Sequence, residues 1–389
     1  MCSTRLLAFT CAVFVSTAVL HPATDLATLP VVYWGGSTLP RPPSNIDMLS
    51  KLAYIVIEKW EGACWDACLK NLTSAHPRPC EAACAEEDHQ LATLRAVRAA
   101  SKNSSSGPAL VFYLNAMLDF NFLSLHQRYV DADALLRNTD GTLCHLTNDA
   151  GMLNVTVFDF AQDAGRALWV DTARNLTATG VVDGIYADQA QVFAEKNAKT
   201  GAWGLCKKSH NTCCTLTEAK AEAYNAGKAQ VLLQVAALLG PRGLLCAGGN
   251  TSTITSLVIH PTHTATKPHN LAKNIRKALE TVAYVHVVHD LPTGDQKADA
   301  RPPSDITSIC TTNLVASFLL GVEPGAFLGC NGWDAANMGR PLGLPLGPMQ
   351  GCGGGWDSGG GGQLLCRNFS SGTSVTWNES SESGIIHWV

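Results

Sequence analysis

Two aspartates bracket a short apolar run in "VVDGIYADQA", at positions 183 and 188. In an extended strand, at ~3.3 Å per residue, they stand roughly 16 Å apart and on opposite faces, so they cannot act as a pair. Asp183 opens the run beside Gly184 and suits an anchor; Asp188 ends it. Glu58 ends another apolar run, "IVIEKW", where a buried carboxylate is costly unless it is paired or hydrogen-bonded. Asp119 follows a third, four residues past Asn115 in "FYLNAMLDF". Two carboxylates at neighbouring strand ends suit cleavage of a glycosidic bond, one as acid and the other as nucleophile or water-activating base. The candidate catalytic set is therefore Asp188 with Glu58 or Asp119. Asp159, in "TVFDF", precedes a helical pattern and reads as its N-cap.

Around these carboxylates, Trp34, Trp60, Trp333 and Tyr33 fall near strand ends, where an aromatic face can stack on the apolar face of a sugar ring. Asn115, Gln189, His286 and His289 supply hydrogen-bonding groups at the same ends and complete the expected substrate-binding set. "HPTH" (260–263) and "HVVHD" (286–290) raise the alternative of a metal-bound water. No H-x-H follows the first strand and no second carboxylate cluster completes a ligand set, so neither metal nor cofactor is expected.

The elements that position these residues follow from hydrophobic pattern. Eight apolar runs read as strands: 30–36, 52–60, 109–115, 182–189, 243–249, 256–260, 282–290 and 326–330. Helical patterns lie between them, as in "HQLATLRAVRAAS", "FAQDAGRALWVDTARNL", "EAKAEAYNAGKAQVLLQVAALLG" and "LAKNIRKALETV". Near-continuous apolar strands alternating with helices give a parallel sheet covered on both faces. Eight such units predict an α/β fold of the (β/α)8 TIM-barrel type over residues 19–339, with the site at the C-terminal strand ends. No glycine-rich fingerprint follows the first strand, which disfavours an open dinucleotide-binding sheet. Residues 340–366 are Pro/Gly-rich and predict an irregular loop. "TSVTW" and "GIIHW" within 367–389 predict a β-hairpin packed on the barrel.

An insertion at 61–87, "CWDACLKNLTSAHPRPCEAAC" at its centre, carries C-x3-C twice. Cysteines four apart share a helix face, so two antiparallel helices place Cys64 opposite Cys84 and Cys68 opposite Cys80. This predicts a disulfide-stapled helical hairpin. One local bridge is expected among Cys206, Cys213 and Cys214; Cys310 with Cys330 and Cys352 with Cys366 are near enough in sequence to pair.

Residues 1–18 have the Arg5, apolar run and small residues of a secretory signal peptide. Seven sequons behind it, at Asn71, Asn103, Asn154, Asn175, Asn250, Asn368 and Asn378, predict glycosylation. The chain of 389 residues is 46% hydrophobic and 15% charged, with a net charge of −4 that gives no reason to expect nucleic acid as partner. Past the signal no segment approaches the roughly 20 apolar residues of a transmembrane helix. A secreted, extracellular monomer acting on an oligo- or polysaccharide is expected, the alternative being a non-catalytic carbohydrate-binding protein on the same scaffold.

"FYLNAMLDF" and "VFDF…ALWVDTARNLTATGVVDGIYADQA" resemble the central block of a family of secreted TIM-barrel glycoside hydrolases of algae and other protists, mostly uncharacterised. The resemblance continues through "LVASFLLGVEPGAFLGCNGW" and "RPLGLPLGP" to "RNFSSGTSVTWNESSESGIIHW", and so covers the chain from about the second strand onward. It implies a glycosidase in which Asp188 matches the usual strand-four carboxylate, while Glu58 and Asp119 match acidic positions of the family's blocks. The cysteine hairpin and the run "GCGGGWDSGGGG" depart from that pattern.

Overall fold

The computed structural model describes residues 26, 30–35, 41–59, 61, 86–101, 107–121, 123–146, 155–198, 200–207, 212–240, 244–248, 256–259, 268–280, 284–288, 312–324, 326–329, 340–352 and 364–389. Eight parallel strands lie at its centre: β1 (Val31–Gly35), β2 (Tyr54–Ile57), β3 (Ala109–Asn115), β4 (Gly184–Asp188), β5 (Leu244–Gly248), β6 (Ser256–Ile259), β7 (Tyr284–Val288) and β8 (Ala326–Gly329). Each falls within one of the eight apolar runs. Neighbours in sequence are neighbours in the sheet, and β1 is bonded on both sides, to β2 and to β8. The sheet therefore curls until its strand order returns to its start.

Among the described residues seven helices accompany the strands: α1 (Pro43–Leu49), α2 (Glu86–Ala100), α3 (Ser124–Asp131), α4 (Asp163–Ala178), α5 (Glu218–Leu239), α6 (Pro268–Leu279) and α7 (Thr312–Gly321). Among the described residues, helices follow β1, β2, β3, β4, β6 and β7. None is long and apolar enough to cross a membrane.

Strand alternation separates two apolar layers. Ile55, Ile57, Leu110, Phe112, Leu114, Ile185 and Leu328 form the outer face and are buried. Each is worth roughly 1.5–3 kcal/mol of burial. Tyr54, Val56, Val111, Tyr113, Tyr186 and Phe327 alternate with them. The rings of Tyr54 and Phe327 meet at 5.8 Å although β1 lies between their strands, which places this second set inside the curl.

Asp183 anchors the start of β4, as its position implies. Its Oδ2 accepts from the Leu110 amide at 2.8 Å and pairs with Arg98 of α2 at 2.5 Å. Asp159 differs from expectation: the N-cap of α4 is Gln162. Asp159 instead holds the preceding turn, accepting from Ala161 N and Gln162 Nε2 and pairing with Lys220 Nζ at 2.5 Å. A capping role needs the carboxyl at the helix boundary, and Asp159 lies three residues before it.

Two excursions leave the sheet on the side where β3 and β4 end. After β3, Leu118–Asp119, Val155–Val157 and His145–Leu146 form a small antiparallel sheet. After β4, Glu195–Lys196, Trp203–Lys207 and Thr212–Leu216 form another. The Cys144–Cys214 disulfide joins the two, and Thr139 and Asn138 bond to Thr215 across the same junction. The second sheet also contains the expected local bridge, as Cys206–Cys213.

At the C-terminus, Ser374–Asn378 and Ser383–His387 pair antiparallel, as their alternating pattern predicts. Leu364–Asn368 and Gln350–Gly351 widen the hairpin to four strands, and Cys352–Cys366 staples the added pair. Part of the expected loop is thus strand, because Gln350 and Gly351 find backbone partners in Cys366 and Leu365. The sheet packs on α7, and a Cβ at Gly384 would meet Ala316 Cβ at 2.3 Å. Arg367, buried beneath it, donates to the Leu320, Val322 and Gly347 carbonyls and pairs with Glu323.

The signal peptide, the cysteine hairpin with Cys64, Cys68, Cys80 and Cys84, and the Cys310 and Cys330 pair lie outside the described residues. So do the two histidine motifs' His260, His263, His289 and Asp290, and residues 353–363.

Candidate active site at the ends of β2, β3 and β4

Parallel register decides which side chains meet. Asn115 pairs with Asp188 and Tyr113 with Tyr186, so four residues of β3 and β4 share the inner face. Ile57 pairs with Phe112, which brings Glu58, the next residue, level with Tyr113. Asp188 Oδ2 accepts from Tyr113 Oη at 2.5 Å and from Asn115 Nδ2 at 3.0 Å. Asn115 is itself fixed, its Oδ1 accepting from the Met117 and Leu118 amides at 2.8 and 2.7 Å. One carboxylate oxygen is thereby held by two positioned donors, while Oδ1 takes no hydrogen bond from a described residue.

Tyr113 is the centre of this arrangement. Its ring lies against Tyr186, with centroids 5.9 Å apart, and its hydroxyl also meets Lys59 Nζ at 3.2 Å. Burial raises the phenol well above its usual 10.0, and the negative charges of Asp188 and then Glu58 add to the effect. Tyr113 therefore stays a protonated donor to Asp188 at neutral pH. Lys59 is buried, with its amine 4.4 Å from the Tyr113 ring centroid and 5.3 Å from that of Phe120. Tyr113→Phe keeps the ring packing and removes the donor. It is expected to cost roughly 1.5–3 kcal/mol of stability, the worth of a hydrogen bond to a charged group. Denaturant unfolding beside an unchanged circular dichroism spectrum checks this.

Gln189, immediately after Asp188, has φ of 60°, a left-handed backbone that a non-glycine residue adopts only under constraint. The turn it makes rests on α5. Lys228 Nζ donates to the carbonyls of Gln189 at 2.8 Å and Val192 at 2.7 Å. Burial pushes the Lys228 amine down to about 7, although the Asp188 charge pulls it the other way. Gln189 itself is buried, and its Oε1 has no hydrogen-bond partner among the described residues.

Asp119 belongs to a separate network on the small sheet after β3. It is buried, and its Oδ2 takes Thr156 Oγ1 at 2.7 Å and His126 Nδ1 at 2.5 Å. Burial alone would lower the His126 pKa, but the hydrogen bond and charge of Asp119 raise it above 6.5. A raised folded-state value contributes stability that is full below the unfolded pKa and is lost as pH rises through the folded one. The thermal-stability advantage of wild type over His126→Gln is thus expected to be largest near about pH 5.5 and to shrink by about pH 8. A difference independent of pH would remove the charged pair from the account.

Of the aromatic candidates, Tyr33 is the one whose side chain is described. Tyr33 pairs with Ile55 and so belongs to the outer face. Its hydroxyl accepts from Arg41 Nη2 at 2.9 Å, and Arg41 pairs at 2.7 Å with Glu61, which also accepts from Thr93 of α2. Tyr33 thus serves a buried ion pair rather than a cleft, because one step along a strand reverses the face. For Trp34 and His286 the backbone is described: Trp34 pairs with Val56, and His286 with Val258 and Phe327. Trp60, Trp333 and His289 lie outside the described residues, as do Asn71, Asn103, Asn154 and Asn250. Asn175 and Asn368 are exposed, while Asn378 is half-buried and accepts from the Ser380 and Ser381 amides.

Tyr113, Lys59 and Lys228 escaped the sequence reading. The signal for Tyr113 was its place two residues before Asn115, on the same strand face. For Lys228 it was a lysine on the apolar stripe of α5, between buried Tyr224 and Val231.

No protein-family model matches the chain, and no curated protein sequence does. The solved structures that the chain resembles include glycoside hydrolases. A sulfoquinovosidase of family GH31 from E. rectale shares 12% identity, covers 83% of this chain and matches with a TM-score of 0.50. The glycoside hydrolase domain of PelA from Pseudomonas aeruginosa shares 14% identity over 77% of this chain and 94% of its own, with a TM-score of 0.39. A GH36 alpha-galactosidase from Geobacillus stearothermophilus shares 9% identity over 90% of this chain and 47% of its own, at 0.45. This chain spans 47% of the length of the GH31 enzyme, and the likeness to that enzyme is one of fold: a mixed α/β architecture around a curled parallel sheet, as in glycosidases.

Proposed function

We propose that the protein is a secreted glycoside hydrolase on a (β/α)8 TIM barrel, cleaving a glycosidic bond of an extracellular or cell-surface glycan by two-carboxylate catalysis. The carrying observation is Asp188 at the end of β4, with Oδ2 fixed by Tyr113 and Asn115. Oδ1 remains for the reacting centre. Asp188 acts as nucleophile or water-activating base, a role that needs an oriented carboxylate with one oxygen available. Glu58 is the second carboxylate. Its charge, like that of Asp188, acts on Tyr113, whereas Asp119 is bound through Oδ2 to Thr156 and His126 and is buried in the small sheet after β3. The GH31 likeness supports the fold of this reading, and the three disulfides among the described residues are compatible with an extracellular protein. Asn175 and Asn368, exposed on α4 and on the C-terminal sheet, are the glycan acceptors best placed among the described sequons.

The test is turnover of a panel of aryl glycosides and polysaccharides by wild type and Asp188→Asn, with the anomeric form of the first product read by NMR. Cleavage lost in the variant supports the assignment. Binding of a glycan by wild type without any cleavage would replace it by a carbohydrate-binding protein on the same cleft.

A further inference from the structure

The loop that follows the candidate catalytic carboxylate is tied to α5, where its Phe193 ring centroid lies 5.5 Å from Lys228 Nζ. Gln189 is buried in a left-handed conformation and its amide oxygen finds no partner among the described residues. Four hydrogen bonds from α5 hold the loop, beside the turn's own bond from the Val192 amide to the Gln189 carbonyl at 3.1 Å. Lys228 Nζ donates to the Gln189 and Val192 carbonyls at 2.8 and 2.7 Å. One turn earlier, Asn225 accepts from the Ala194 amide at 2.8 Å and donates to its carbonyl at 2.9 Å. The two side chains lie three positions apart and so share a face of the helix. The helix can come this near because Gly227 lies against the Phe160 carbonyl, where a Cβ would stand 1.8 Å from the oxygen. A lysine placed in an apolar helix face must find polar partners, and these two carbonyls are the ones it finds.

We propose that Lys228 is a positioning residue of the Asp188 site: with Asn225 it hangs loop 189–194 on α5, holds Gln189 in its left-handed backbone, and so fixes where Asp188 stands. Lys228 does not reach the reacting centre. It acts through the backbone of the residue that follows the carboxylate. The inference rests on Asp188 as the catalytic carboxylate, and the tests of the two are separable.

The experiment is a crystal structure of Lys228→Met, which keeps the length and apolar body of the side chain, together with its kinetics beside wild type and Asp188→Asn. Gln189 is expected to leave the positive-φ region. kcat is expected to fall roughly 10²-fold, the effect of a misplacement of about 1 Å, with KM within about twofold of wild type. A purely structural lysine would lower stability and leave the kcat of the folded fraction unchanged. Gln189 unmoved in the variant overturns the proposal whatever kcat does, and so does wild-type kcat with the turn released. Should Lys228→Met not fold, Asn225→Ala at the half-exposed edge of the same clamp replaces it. About a tenfold loss of kcat supports the inference and an unchanged kcat refutes it. If wild type and Asp188→Asn are equally inactive on every glycan, the glycosidase reading fails, while the Gln189 backbone still decides whether the lysine holds the turn.

Discussion

Asp188→Asn is expected to lower turnover about 10³-fold or more, in line with removal of a positioned nucleophile or base. The substitution is close to isosteric, and the asparagine carbonyl can still accept from Tyr113 and Asn115, so fold and ground-state binding should survive. Glycan affinity, measured by calorimetry or by retardation in a polysaccharide gel, is expected to change little while hydrolysis stops. That split matters because it distinguishes a catalytic carboxylate from one that only binds sugar hydroxyls. Removing a hydroxyl-binding group weakens binding and turnover together. Retention of wild-type turnover in Asp188→Asn would sink the two-carboxylate mechanism as assigned. The partner is tested in the same assay by Glu58→Gln, which the assignment to Glu58 expects to be impaired as well.

The largest expected loss of stability lies elsewhere, at Glu61. Its carboxylate and the Arg41 guanidinium are both 4% exposed and are joined at 2.7 Å and 2.8 Å. Arg41 also lies over the Tyr33 ring, 5.1 Å from its centroid. Glu61→Ala leaves a guanidinium buried without its counter-charge and strips Thr93 of its acceptor. Breaking a buried pair from one side costs roughly 3–5 kcal/mol, whereas replacing both members by apolar groups of similar volume is often close to neutral. Denaturant unfolding should therefore show a large loss for Glu61→Ala and a much smaller one for the double variant Arg41→Met/Glu61→Leu. Equal losses would mean that the site is held by shape and not by charge. Because Glu61 bonds back through its amide to the Glu58 carbonyl at 3.1 Å, the single variant also reports whether the end of β2 depends on this anchor.

Much of the fold could be read from local pattern. The eight strands announced themselves because a strand buried on both faces is apolar throughout, α2, α4 and α6 because their apolar positions repeat at helical spacing, and α5 because it is a long run rich in alanine and leucine. The short helices α1, α3 and α7 carried weaker signals. α1 and α3 have too few turns to display a period, and α7 is buried along almost its whole length, which erases amphipathic contrast. The small sheets after β3 and β4 were not legible. Strands of two to five residues are too short to show alternation, and they owe their pairing to the excursions that carry them and to the Cys144–Cys214 link.

At the site, the sequence by itself separated Asp183 from Asp188. Strand polarity and a period of two fix which end and which face each occupies, and both are local properties. It also marked Glu58 as an acid that needs a partner. Only the tertiary structure decided who those partners are. Tyr113 reaches Asp188 because β3 and β4 are adjacent and in a register that no single strand encodes. Asp119 is drawn off to Thr156 and His126 because the chain turns away from the sheet after Asn115. Lys228, forty positions beyond Asp188 in the chain, comes to the loop behind it because Gly227 lets α5 pack against the Phe160 backbone. Register and close approach depend on the packing of whole elements against one another, and for that reason they emerge only when the chain is folded.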